Sequence, residues 1–177
     1  RFEEEARKTG KPLRIVYLTN VGGSYNMLGE TLRLTREVLL EVSDFRRENC
    51  PLSALTLGVK CGTSDATSGI AGNPCVGAAF DQLIRAGGTA FFSETTEIIG
   101  AEDLVAKRAV NESVAKKILS AARHWEDKAK ATGEDIRKIN PIPANIAAGI
   151  SSLEEKSLGA IAKSGTSPIQ DVLKYAE

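Results

Sequence analysis

The sequence predicts an α/β fold, a small parallel sheet with helices on both faces and a helical C-terminal extension. Three observations predict it. Short β-rich apolar runs alternate with segments whose apolar residues recur every three or four positions. Each strand-like run ends in a loop rich in glycine, hydroxyls or acids. Strand–helix–strand order implies right-handed crossovers, and therefore a parallel sheet covered by helices. The length, 177 residues, suits one domain or one domain with a piece of another. Residues 1–139 are expected to form the α/β core, and residues 140–177 a loop and helical extension.

The elements follow in order. Residues 13–19 (LRIVYLT), after the turn signal Gly10-Lys11-Pro12, read as a first strand running into a glycine loop over residues 20–26. Residues 27–43 read as a helix with Leu28, Leu32, Leu39 and Val42 on one stripe. A polar connection reaches Pro51, and residues 55–60 read as a second strand. Pro74 fits the first turn of a helix with the stripe Val76, Phe80, Leu83 and Ile84, stopped by Gly87-Gly88. Residues 89–92 (TAFF) read as a third strand, closed by residues 93–97.

Gly100 precedes a helix with Glu102 and Asp103 in its first turn, where the helix dipole favours acids. Asn111 is the expected N-cap of a longer helix to about Thr132, with Val114, Ile118, Ala122 and Trp125 inward and Gly133 as its stop. Residues 140–145 (NPIPAN) read as an extended loop. Ser152 and Glu155 form a capping-box pattern for a helix ending near residues 163–165, and Pro168 opens a last short helix to Tyr175.

Composition narrows function. Lys and Arg total 23 against 23 Asp and Glu, so the basic face that a nucleic-acid or anionic-membrane partner needs is missing. No apolar run is long enough to span a bilayer. A single His, at position 124, removes most His-based zinc sites. Cys50, Cys61 and Cys75 cannot all pair and show no Cys-x-x-Cys spacing. That pattern predicts free thiols, a reducing cytoplasmic compartment and no iron–sulfur cluster within this segment. Cys50 and Cys75 are expected to pack and His124 to lie near the surface.

In open parallel sheets ligands collect outside the carboxyl ends of the strands, and the three strand-end loops hold the reactive residues. Gly22 and Gly23 can offer backbone N–H groups to an anion, or simply make a tight turn. Residues 60–73 bring together Lys60, Cys61, Gly62, Ser64, Asp65, Ser68 and Asn73. Cys61 is a nucleophile, a metal ligand or a small buried hydrophobe. Asp65 binds a hydroxylated substrate or a cation, or makes an Asx-turn. Glu94 and Glu97, with Glu102 and Asp103 nearby, suit a hard divalent ion or removal of a proton α to a carboxylate; Glu102 and Asp103 can equally be helix-terminal acids.

Residues 55–74 (LTLGVKCGTSDATSGIAGNP), 86–102 (AGGTAFFSETTEIIGAE), 140–149 (NPIPANIAAG) and 153–165 (LEEKSLGAIAKSG) together resemble the altronate/galactarate dehydratase family, the UxaA-like hydro-lyases, which include the large subunit of sulfolactate sulfo-lyase. The resemblance covers nearly the whole chain and is weakest before Cys50. Thr63 replaces a glycine common in the family, and Cys75 an alanine.

The resemblance implies the central domain of a carbon–oxygen lyase that dehydrates a sugar acid by β-elimination, assisted by a divalent metal, iron(II) in the sugar-acid enzymes. It implies catalytic roles for Cys61, Asp65 and Glu94, and metal binding by Glu94 and Glu97. Lys60, Gly62, Ser64, Ser68, Asn73, Gly22 and Gly23 are the expected substrate-binding set. The implied partners are a small hydroxy-acid substrate, a further C-terminal domain and a small N-terminal β-rich domain or subunit, with homo-oligomerisation left open. Two alternatives stand beside this reading: a non-catalytic scaffold or anion-binding domain whose chemistry lies in the C-terminal part, and a fragment of a sulfolactate-type sulfo-lyase. A nucleotide-binding domain is disfavoured, because the glycine fingerprint is missing.

Overall fold

The computed structural model describes residues 2–173. The chain divides into two compact units, Arg1–Asn49 and Cys50–Glu177, and its fold class is the expected mixed α/β one with a parallel sheet and flanking helices.

The first unit is helical: α1 (Phe2–Thr9), α2 (Leu18–Val21) and α3 (Ser24–Ser43). The strand expected over residues 13–19 is not formed; residues 11–17 are irregular and α2 begins at Leu18. The physical reason is partnership. A strand persists only when another backbone accepts its ladder of hydrogen bonds, and no strand occurs among the described residues of this unit. Gly22 and Gly23 have φ of 76° and 118°, so they make the left-handed turn between α2 and α3 that other residues resist. The α3 stripe exists as predicted, but Leu28, Leu32 and Leu39 are about 60% exposed.

The second unit contains β1 (Thr56–Val59) and β2 (Thr89–Phe92), paired in parallel with Thr56 opposite Thr89 and Val59 opposite Phe92. The connection is a π-turn (Ser68–Gly72) that runs directly into α4 (Asn73–Arg85). Phe80 and Leu83 of the expected stripe are buried, and Gly87 ends the helix at φ 83°.

A 3₁₀ turn (Thr95–Ile98), α5 (Glu102–Ala106) and α6 (Glu112–Ala131) follow β2. Their apolar faces make the core: Ile98, Ile99, Val105, Val114, Ile118 and Ala122, with Trp125 packed against them. Asn111 caps α6 as expected, its side chain accepting the Val114 N–H at 3.0 Å. α7 (Ile136–Ile139) and α8 (Pro143–Ala147) come next, so the predicted extended loop is partly helical. α9 (Leu153–Ile161) passes into a 3₁₀ turn (Ala162–Ser164).

Ser152 caps α9 by accepting the Glu155 N–H at 3.1 Å. The Glu155 carboxylate returns to Ser151 N–H rather than to Ser152, which shifts the capping box by one residue. The helix expected from Pro168 is absent over residues 168–173, and its end at Tyr175 lies outside the described residues. Ile169 instead bridges Ala109 in parallel, and Arg108 and Val110 supply the partner backbone that draws this segment out. No helix among the described residues is long and apolar enough to cross a membrane.

Close backbone approaches fix the second unit. A Cβ at Gly77 would lie 2.2 Å from the Ala162 carbonyl oxygen, and one at Gly69 would lie 2.9 Å from Gly159 Cα. These glycines let α4 and the π-turn pack against α9 and its 3₁₀ turn, which carries Lys163 into the site.

Candidate functional site

The site grows from strand register. Val59 opposite Phe92 ends the ladder, and two residues further on Cys61 and Glu94 still meet. The Cys61 N–H donates to the Glu94 carboxylate at 2.6 Å. Glu94 has φ 67° and ψ 61°, a left-handed conformation for a residue with a side chain. Such a conformation costs on the order of 1–3 kcal/mol and is held by its surroundings. Here it turns the chain sharply from β2 into the 3₁₀ turn, and Glu97 follows one turn later, its N–H donating to the Glu94 carbonyl at 2.8 Å.

One ligand atom each from Cys61, Glu94 and Glu97 therefore gathers within 4.8 Å. Two ammonium groups attend them. Lys60 Nζ lies 3.4 Å from Glu94 and donates to the Cys61 carbonyl at 2.8 Å. Lys163 is buried and ion-paired with Glu97. The Cys61 thiol is pushed above its usual pKa, first by burial and then by the neighbouring Glu97; Ser64, whose hydroxyl is 3.4 Å from the sulfur, and Lys163 oppose the shift only in part. In this state Cys61 is a protonated thiol, which weakens its claim as a nucleophile.

Asp65 stands apart from this cluster. Its Oδ1 accepts from Thr67 N–H at 2.8 Å, Thr67 Oγ1 at 2.7 Å, Ser68 N–H at 3.1 Å and Ser68 Oγ at 3.3 Å. The Thr67 hydroxyl and backbone, followed by Ser68, hold its carboxyl below the ordinary range. Asp65 thus caps the turn that leads into the π-turn, and a carboxylate favoured in its charged form is a weaker proton acceptor.

Ser64, Asp65, Ser68 and Asn73 line a cleft of about 280 Å³ closed on its other side by Glu155, Lys156 and Gly159. Asn73 also donates to the Gly159 carbonyl at 2.9 Å. Gly62 is exposed, with open space where a side chain would start. Gly22 and Gly23 belong to the first unit, where they form the α2–α3 turn; the strand that was to aim this loop at an anion is missing. Glu102 is engaged by Arg137. His124 is exposed as expected, whereas Cys50 and Cys75 are exposed rather than packed.

Several residues of consequence are invisible to strand-end reasoning. Lys163 reaches Glu97 from 66 residues away. Lys156 donates to Asn140 at 2.7 Å and Asn145 at 2.8 Å, and Asn145 donates to the Ser64 carbonyl at 3.0 Å. Asp81 on α4 is buried and accepts the N–H and hydroxyl of both Thr166 and Ser167. Burial alone would raise its carboxyl; these bonds from Ser167 and Thr166 outweigh it and bring it to about 2. For Lys163, Lys156 and Asn145 the signal was present only as motif, in residues 140–149 and 153–165, which no single-element pattern explains.

The family match falls within the second unit. Residues 52–177 match the family described as D-galactarate/Altronate dehydratase, C-terminal. The chain is 43% identical to galactarate dehydratase (L-threo-forming) of Escherichia coli (strain K12) over 85% of its own length and 29% of that protein's. It is 42% identical to altronate dehydratase of Bacillus subtilis (strain 168), over 81% of this chain and 29% of the relative. It is 38% identical to (2R)-sulfolactate sulfo-lyase subunit beta of Chromohalobacter salexigens, over 90% of this chain and 41% of the relative. The chain thus spans less than half the length of these relatives. It belongs to the D-galactarate/altronate dehydratase family.

Proposed function

We propose that this chain contributes part of the active site of a hydro-lyase that removes water from a sugar acid by β-elimination, within a polypeptide longer than the chain itself. The observation that carries the reading is the convergence of Cys61, Glu94 and Glu97 within 4.8 Å at the carboxyl ends of β1 and β2. This is where a parallel sheet presents its chemistry.

The donor set fits a divalent metal. Ligands on opposite sides of one ion at ordinary bond lengths lie roughly 4–4.6 Å apart, so three donors this close can share an ion. One sulfur and two carboxylates suit a transition ion such as iron(II) better than magnesium or calcium, which prefer oxygen alone. Cys61, Glu94 and Glu97 would hold it. Once bound, it would polarise the substrate's carboxylate and hydroxyl oxygens as a Lewis acid.

The chain's own groups do the remaining work. Lys163 and Lys60 offset the charge of Glu97 and Glu94, so that two carboxylates and a thiol can share a half-buried site. Ser64 donates toward or accepts from the thiol and borders the cleft. Ser68 and Asp65 offer a hydroxyl and a fixed carboxylate to substrate hydroxyls. In the elimination, the proton α to the carboxylate goes to a base and the β-hydroxyl departs as water, leaving an enol that becomes a keto acid.

The test is dehydration of D-galactarate and altronate by the full-length protein supplied with iron(II), before and after Glu94→Gln and Glu97→Gln. Loss of turnover is expected in both variants, with thermal stability unchanged in Glu94→Gln and lowered in Glu97→Gln, which leaves the buried Lys163 without its ion-pair partner. Full activity in both would remove the cluster from the reaction.

A further inference from the structure

We propose that Lys156 binds a carboxylate of the hydroxy-acid substrate, in the cleft that it lines with Ser64; the proposal rests on the sugar-acid reading above. Lys156 is half-buried, and its ammonium donates to two neutral acceptors, Asn140 Oδ1 at 2.7 Å and Asn145 Oδ1 at 2.8 Å. It forms no ion pair with an acid among the described residues. An ammonium carries three N–H donors, so two amide oxygens fix its position and leave one donor and the whole positive charge unanswered. Shielded charges are normally paired. This one is placed near the N-terminus of α9, where the helix dipole disfavours a cation.

The neighbouring acids keep their charge, but neither forms an ion pair with Lys156. The Glu155 carboxylate is taken by the Ser151 N–H and hydroxyl. Asp65 is taken by Thr67 and Ser68. Both line the same cleft, of about 280 Å³, which is at the small end for ligand pockets, roughly 300–1,000 Å³. A small polyhydroxylated acid matches this lining: its carboxylate meets Lys156, the cation of the lining, and its hydroxyls meet Ser68, Asp65 and Asn73.

The link to the reacting end is also built. Asn145, itself buried, accepts from Lys156 and donates to the Ser64 carbonyl at 3.0 Å, and Ser64 Oγ lies 3.4 Å from Cys61 Sγ. Lys156 is therefore held in register with the Cys61–Glu94–Glu97 cluster by one amide, which makes it a selector for acid substrates rather than a participant in proton transfer.

The experiment is calorimetric titration of the full-length protein with D-galactarate and with the uncharged polyol galactitol, for the parent, Lys156→Met and Lys156→Arg. A hydrogen bond to a charged group is worth about 1.5–3 kcal/mol, which corresponds to roughly a 10- to 150-fold change in Kd. D-galactarate should bind Lys156→Met at least about 10-fold more weakly than the parent, and Lys156→Arg should recover most of the loss. Galactitol should bind the parent at least about 10-fold more weakly than D-galactarate does, a comparison that needs no variant to fold. In turnover, Lys156→Met should raise KM with kcat nearly kept.

Equal affinity of parent and Lys156→Met for D-galactarate overturns the proposal. So does equal affinity of the parent for galactitol and D-galactarate, or a parent that does not bind D-galactarate at all. Lys156-dependent binding without dehydration, in iron-loaded protein, overturns the hydro-lyase reading and leaves the role of Lys156 standing.

Discussion

Asp81 and the Glu94–Glu97 pair are carboxylate centres built to opposite ends. Asp81 is buried on α4, and its oxygens are met by the N–H and hydroxyl groups of Thr166 and Ser167 at 2.7–3.0 Å. Its hydrogen-bond donors all come from one short segment, and Arg108 adds its charge nearby, so the group is held for structure. Glu94 and Glu97 are faced by a backbone N–H, a thiol and two lysines. Those partners are charges and soft donors that a cation or a substrate can replace. A carboxylate wrapped in dipoles locks a fold, and one balanced by ammonium groups stays available for chemistry.

The comparison breaks first at Asp81. Asp81→Ala removes the buried acceptor that holds the Thr166 and Ser167 donors and should destabilise the second unit by about 2–3 kcal/mol, read as a drop in Tm. A loss under about 1 kcal/mol would mean that solvent reaches the clamp. Glu94→Gln keeps shape and removes charge. It should lower kcat/KM of the full-length enzyme on the order of 100-fold, about 2.7 kcal/mol, while Tm stays close to the parent's. A large fall in Tm would make Glu94 a second structural lock.

Acid should separate the two centres as well. The Asp81 carboxyl is depressed to about 2 in the folded chain, against about 3.9 when unfolded. A depressed carboxyl contributes stability above its unfolded pKa and loses it as pH falls toward the folded one. About 2 kcal/mol should therefore disappear between roughly pH 5 and pH 2 in the parent, and Asp81→Asn should flatten that slope. Denaturant melts across this range measure it. The smallest expected effect is at Asp65, where Asp65→Ala removes a turn cap and should lower Tm only slightly. If it also abolishes turnover with binding retained, Asp65 belongs with Glu94 rather than with Asp81.

Much of this was legible from residue order. Residues 89–92 and α6 fall where periodicity put them, and Asn111 and Ser152 cap as their positions demand. These are local decisions, made by a few neighbouring side chains. Residues 13–19 failed because a strand depends on a partner that sequence pattern does not reveal, and Pro168 failed because Ala109 and Arg108 offered backbone to pair with. The cluster was half legible. Two strand-end loops marked Cys61, Glu94 and Glu97 as candidates, but only the 33-residue register joins them. Lys163, Lys156 and Asn145 lie on helices and turns whose approach depends on Gly69 and Gly77 meeting α9 and the turn after it, and no local pattern carries that.

The most direct test of the metal-binding cluster is titration of the chain with cobalt(II), a spectroscopic stand-in for iron(II), while following the thiolate-to-cobalt charge-transfer absorption. One equivalent should saturate the band. Cys61→Ser should abolish it, and Glu94→Gln and Glu97→Gln should each weaken binding, since all three side chains supply donors to one ion. Saturable cobalt binding without the band, or a band that survives in Cys61→Ser, would contradict the shared site.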